Sequence, residues 1–159
     1  MAQRLADLDL DDLSRLAELT TDGPPREFTT VLAELVMRAG SEPFIVRTKA
    51  RYELVLHASR DPDLMAIMRT SIETFYRLTR DVVTGWHHRD DDLPDDLVDQ
   101  QAQATLALVN GVMLSFVAGR PMVESASQLE QLLNGLIAGL TAHPANWSSR
   151  RAARPGDVM

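Results

Sequence analysis

Residues 104–118 run Ala-Thr-Leu-Ala-Leu-Val-Asn-Gly-Val-Met-Leu-Ser-Phe-Val-Ala and hold no charged side chain. At helical spacing Leu106, Val109, Met113 and Phe116 share one side, while Leu108, Val112 and Ser115 share another with Gly111 between them. A surface helix keeps a polar back, so a helix that is apolar on both sides needs cover on both sides. The next helical stretch repeats the feature, with Leu129, Leu132, Leu133, Leu136, Ile137 and Leu140 joined by Gly135, Ala138 and Gly139. In a chain of 159 residues a second subunit is the natural cover for the spare face. The two helices meet at Gly119-Arg120-Pro121, which makes them an antiparallel hairpin, and pairing that hairpin with its two-fold mate builds an intermolecular four-helix bundle. The expected interface is Leu108, Gly111, Val112 and Ser115 from the first helix, with Leu129, Leu132, Leu133, Leu136 and Leu140 from the second. A central helix in a monomeric bundle is the competing arrangement; the homodimer is preferred.

The rest of the chain is also helical in pattern. Residues 1–20 carry Leu5, Leu8, Leu13, Leu16 and Leu19 among acidic neighbours, and Thr21-Asp22-Gly23-Pro24-Pro25 breaks that segment. A helix over about 25–39 buries Phe28, Val31, Leu32, Leu35 and Val36 and stops at Gly40. Another opens near Ser41 and Pro43 and closes near Arg60. Asp61-Pro62 then caps a helix that runs to about residue 86. After the acidic linker 88–94 come helices over about 95–118 and 125–142. No alternation of the β type appears. The expected architecture is an all-α antiparallel bundle of about six helices, forming one domain over residues 1–142. A polar tail over 143–159, with Arg150, Arg151 and Arg154, is expected to be disordered.

Composition narrows the function. The formal net charge is −7, so the chain gains nothing from counterion release at a phosphate backbone. There is no cysteine, which removes disulfides, thiolate catalysis and zinc–thiolate sites. The first residues lack the basic and apolar runs of a secretory signal, and no uninterrupted apolar stretch reaches the roughly 18 residues of a membrane span. The expectation is a soluble, cytoplasmic protein without membrane contact.

Residues 50–64 follow the order A-R-x-E-L-x-L-x-A-x-R-D-P-x-L, from Ala50, Arg51 and Glu53 to Arg60, Asp61, Pro62 and Leu64. Leu108-Val-Asn-Gly-Val-Met-Leu114 precedes a helix containing Leu132-Leu-Asn-Gly and ending in Leu136-x-x-Gly139-Leu140. Together these segments resemble the ligand-sensing and dimerising half of TetR-family transcriptional regulators, over about residues 1–142. The resemblance implies a homodimeric repressor domain with a small-molecule pocket in each subunit. It also implies an N-terminal helix-turn-helix head, which is not recognised in this chain. Residues 35–47 are the only imitation of one, and their second helix would present Glu42, Phe44, Ile45 and Val46, which suit a core better than a groove of DNA. DNA is therefore expected to be contacted only through a head not present here.

An effector pocket needs a mostly apolar wall with a few orienting polar groups. The expected wall is Met65, Met68, Ile72, Phe75, Tyr76 and Thr79 of the 62–86 helix, facing Tyr52, Leu56, Met113 and Phe116. Individually each of these is as well explained as core. Trp86 stands at a helix end as a candidate for closing the pocket mouth or as a surface anchor. His57 reads as a partly exposed structural histidine. His87-His88 with Asp90, Asp91 and Asp92 lacks metal-ligand spacing and reads as a solvated linker. No metal, cofactor or catalytic constellation is expected. The function read from these features is an effector-sensing and dimerisation domain for a small apolar or amphipathic ligand. The alternative is a stand-alone headless relative that heterodimerises with a complete regulator and modulates it.

Overall fold

The computed structural model describes residues 25–87 and 93–142. They form five helices: α1 (Pro25–Ala39), α2 (Phe44–Ala58), α3 (Pro62–Trp86), α4 (Asp95–Val117) and α5 (Ala126–Ala142). No strand occurs among the described residues. The helix expected over residues 1–20, the tail 143–159, His88 and Asp90–92 lie outside the described residues.

The boundaries follow local chemistry. The Asp61 carboxylate accepts from the backbone N–H groups of Asp63 and Leu64, both at 3.1 Å, and Pro62 fills the first turn of α3 where no N–H is needed. Asp95 and Asp96 stand in the first turn of α4, where the helix dipole favours negative charge. Gly119, at φ 69°, ends α4 in the left-handed region. The Arg120 N–H then reaches the Ser115 carbonyl at 2.9 Å, and the Gly119 N–H reaches Phe116 at 3.0 Å, so the last carbonyls are satisfied. Ser125 Oγ accepts from the Gln128 N–H at 3.2 Å and starts α5.

The main core lies between α1 and the α4–α5 hairpin. Ala33 and Val36 of α1 meet Val112 and Met113 of α4, Val123 of the connecting loop, and Leu129 and Leu133 of α5. The hydroxyls of Thr29 and Thr30 donate to Asn134 Oδ1 at 3.2 Å and Glu130 Oε1 at 2.8 Å, which fixes α1 along α5. A second, smaller cluster joins Val83 of α3 to Val98 and Ala102 of α4, with Tyr76 and Leu93 packed against it. Next to Ala102 in the chain stands Gln101, a fully buried polar side chain. Its Oε1 accepts from His87 Nε2 at 2.8 Å, and its Nε2 donates to Thr141 Oγ1 at 2.9 Å. His87 thus serves the packing of α3, α4 and α5. On the outside, Arg80 of α3 binds Asp95 and Asp99 of α4, each at 2.7 Å. Exposed pairs like these are screened by solvent and add little to stability.

Candidate effector cavity and outward helix face

A cavity of about 220 Å³ opens where α1, α2, α3 and α4 converge. From α1 come Leu32, Leu35, Val36, Arg38 and Ala39; from α2 come Phe44, Arg47 and Arg51. The far wall is Phe75 of α3 with Leu106, Val109, Asn110 and Met113 of α4. The four α4 residues recur at three- and four-residue spacing, so they form a single stripe of that helix. Next to the lining residue Ala39, Gly40 stands against the ring of Phe116 with no room for a Cβ.

Two of the ten residues expected to line a pocket, Phe75 and Met113, do line this one. Tyr52 sits at its edge. Its hydroxyl donates to the Asn110 carbonyl at 2.9 Å, and its ring lies 5.8 Å from the Arg51 guanidinium. Phe116 is the packing partner of Gly40. Tyr76 belongs to the second cluster, and the buried Thr79 hydroxyl turns back onto the Phe75 carbonyl at 2.9 Å. Met65 and Met68 are half-buried and outside the cavity wall, whereas Leu56 and Ile72 are 69% and 54% exposed. His57 is exposed. Sequence reasoning missed the contributions of α1 and the arginines. The available signal was Arg47 and Arg51, one turn apart on the same side of α2 in an acidic chain.

The polar residues of the cavity wall are Arg38, Arg47, Arg51 and Asn110. The Arg38 guanidinium lies 4.2 Å from the centre of the Phe44 ring, and that of Arg51 lies 5.7 Å from the Phe75 ring and 3.5 Å from Asn110 Oδ1. Burial pushes the Tyr52 phenol above its usual 10.0, and the charge and hydrogen bond of Arg51 offset part of that rise. The neutral phenol is therefore the form the fold prefers. Its contribution to stability is complete below pH 10 and is lost as pH rises through the elevated folded value. In chemical denaturation across the alkaline range, Tyr52→Phe should remove part of the fall in stability above pH 10. If the variant and the parent decline in parallel there, the phenol is not held neutral by the fold.

A different side of α4 faces away from the subunit. Ala107, Gly111, Leu114 and Ala118 are exposed at i, i+4, i+7 and i+11. On α5 the same spacing exposes Gln128, Leu132, Gly135 and Gly139, continued by Ala142. Leu114 is 50% exposed and Leu132 is 46% exposed, and no atom of the described residues lies within 4 Å of where a Cβ on Gly111, Gly135 or Gly139 would stand. Of the residues expected at a subunit interface, Gly111 and Leu132 are on this outward face. Val112, Ser115, Leu129 and Leu133 are buried inside the subunit, and Leu108, Leu136 and Leu140 are half-buried. The four buried side chains fill the subunit's own core, so they offer no surface to a partner.

An all-helical domain with an apolar cavity on one side of a helix and a charge-free face on another has the form of a regulatory module. A family model described as the C-terminal domain of tetracyclin repressor-like proteins matches residues 23–143. The chain belongs to that family of TetR-like C-terminal domains. No curated protein and no solved structure gave a match. Among the described residues no helix is long and apolar enough to cross a membrane.

Proposed function

We propose that this chain is the effector-binding and dimerisation domain of a transcriptional regulator, with DNA contact made outside the described helices. The observation that carries the reading is the double use of α4. Leu106, Val109 and Met113 face the cavity, while Ala107, Gly111 and Leu114 form the outward stripe. A guest that displaces the first set moves the second, because both ride on one rigid helix. In a homodimer seated on the stripe, that displacement changes the placement of the two subunits. The exposed glycines support a close-packed mate. Each costs about 1 kcal/mol of helix propensity, and no described residue occupies the space they leave.

The cavity reading is tested with a neutral probe. Toluene is small enough for about 220 Å³, since an apolar cavity of roughly 150 Å³ holds benzene. At a hundred times its dissociation constant a one-site ligand stabilises by about 2.7 kcal/mol. Thermal unfolding should show saturable stabilisation by toluene, and Leu106→Trp, which fills the wall, should abolish it. No stabilisation of the parent, or equal stabilisation of the Trp variant, overturns the reading.

A further inference from the structure

Gly40 lies in the turn from α1 to α2, between Ala39 and Phe44 of the cavity wall. Among the described residues the glycine with a positive φ is Gly119, so the backbone at Gly40 does not itself call for glycine. What excludes a side chain is Phe116 of α4. A Cβ at Gly40 would stand 2.7 Å from the Phe116 Cγ and 2.8 Å from its Cε2. The turn is tied to both of its helices. Thr48 Oγ1 of α2 donates to the Ala39 carbonyl and Ser41 Oγ to the Arg38 carbonyl, each at 2.8 Å, and the Gly40 N–H reaches the Met37 carbonyl at 3.1 Å.

Phe116 extends the row Leu106, Val109 and Met113 by one more three-residue step, so a cavity guest and the turn bear on the same side of α4. Leu114 and Ala118 of the outward stripe are each two residues from Phe116, which is about 200° round the helix. The ring and the stripe are therefore on opposite sides of α4. The Tyr52 hydroxyl also holds α4, at the Asn110 carbonyl, but a hydrogen bond of 2.9 Å can lengthen by a few tenths of an ångström. A ring packed against a backbone has no such slack.

We propose that the Gly40–Phe116 contact is the pivot on which α4 tilts when the cavity fills, which makes Phe116 a positioning residue for the outward face. This rests on the reading of the cavity as an effector site and of the stripe as a subunit interface. A guest displaces α4 at Leu106, Val109 and Met113, while Phe116 is held at the turn. The helix then turns about that end instead of sliding. Leu114 and Ala118 stay beside the pivot, and Ala107, nine residues or about 13 Å away along the axis, moves most.

The test is sedimentation of the full chain with and without saturating toluene, beside calorimetric titration of toluene itself. In the parent, toluene should change the dimer dissociation constant about fivefold or more, the low end of ordinary coupling between sites. Phe116→Ala gives α4 slack at the turn; it should still bind toluene, with its dimer constant changing less than about twofold. Phe116→Leu keeps a side chain against Gly40 and should keep most of the parent's response. Gly40→Ala forces the ring aside and should shift the dimer constant several-fold before any toluene is added. Circular dichroism confirms that each variant is folded, and if Gly40→Ala is not, the Phe116 variants carry the test. A ring that only fills space would lower the unfolding temperature when removed without altering the response to toluene. The pivot falls if Phe116→Ala responds to toluene as the parent does, and that result leaves the cavity and interface readings standing. Toluene bound by the parent with no change in its dimer constant overturns the pivot and the coupling between cavity and stripe. No toluene binding by the parent overturns the cavity reading and the pivot with it.

Discussion

Leu114→Asp together with Leu132→Asp should turn a two-chain species into a one-chain species. The parent is expected to sediment at twice its 17.7 kDa chain mass at micromolar concentration, and the double variant at the single mass. The two leucines are the largest apolar groups on a face otherwise made of Ala107, Gly111, Ala118, Gln128, Gly135, Gly139 and Ala142. Each is already about half covered, so docking removes roughly half a side chain from water, about 1 kcal/mol. A two-fold interface counts every substitution twice, which makes the loss about 4 kcal/mol before any charge is desolvated. That corresponds to a roughly thousandfold weaker dimer. In the resulting monomer, adding Gly135→Ala should raise helix stability by up to about 1 kcal/mol, because open space surrounds that position. A parent that stays monomeric at micromolar concentration removes the case for pairing through this face.

Much of the fold was legible because the helix punctuation is chemical. Pro25, Gly40, Asp61-Pro62, Pro94 and Gly119 each forbid or favour one backbone state, and the observed helices begin and end within a few residues of them. The double-sided character of residues 104–118 was legible for the same reason, since periodicity and charge are both written in the chain. What periodicity leaves open is which apolar side meets which neighbour. Val112 and Leu133 carry the same hydrophobic signal as Leu114 and Leu132, but the first pair is 2% and 0% exposed and the second pair is half exposed. The choice between them depends on where α1 lies, and α1 packs along α5 through Ala33, Val36, Thr29 and Thr30. That is a long-range pairing across about a hundred residues of sequence, which no local pattern encodes. The cavity was harder still. Its arginines come from the two helices that flank Gly40, and the turn at Gly40 lies flat against Phe116 of α4. Read locally, Arg38, Arg47 and Arg51 are ordinary charges on helix surfaces. They come to one cavity wall only after the chain closes.

The adjacent pair Leu132 and Leu133 turns that distinction into a measurement with opposite outcomes one residue apart. Leu133 is completely buried among Ala33, Val36, Val112 and Leu129. Leu133→Ala leaves a hole in this packed centre and should cost about 2–5 kcal/mol of subunit stability. Leu132, the preceding residue and about 100° around the helix, points outward at 46% exposure, so Leu132→Ala should cost the isolated subunit less than about 1 kcal/mol. In a dimer the two effects mix, because unfolding and dissociation are then linked. Denaturant titrations therefore belong in the Leu114→Asp background, at a protein concentration below that variant's dissociation constant, where the subunit stands alone. There the midpoint should move sharply for Leu133→Ala and little for Leu132→Ala. In the parent background Leu132→Ala should instead act on sedimentation, raising the dissociation constant. Comparable losses of subunit stability from both alanines would mean that α5 is rotated from the orientation described, and the outward stripe would lose its boundary with the core.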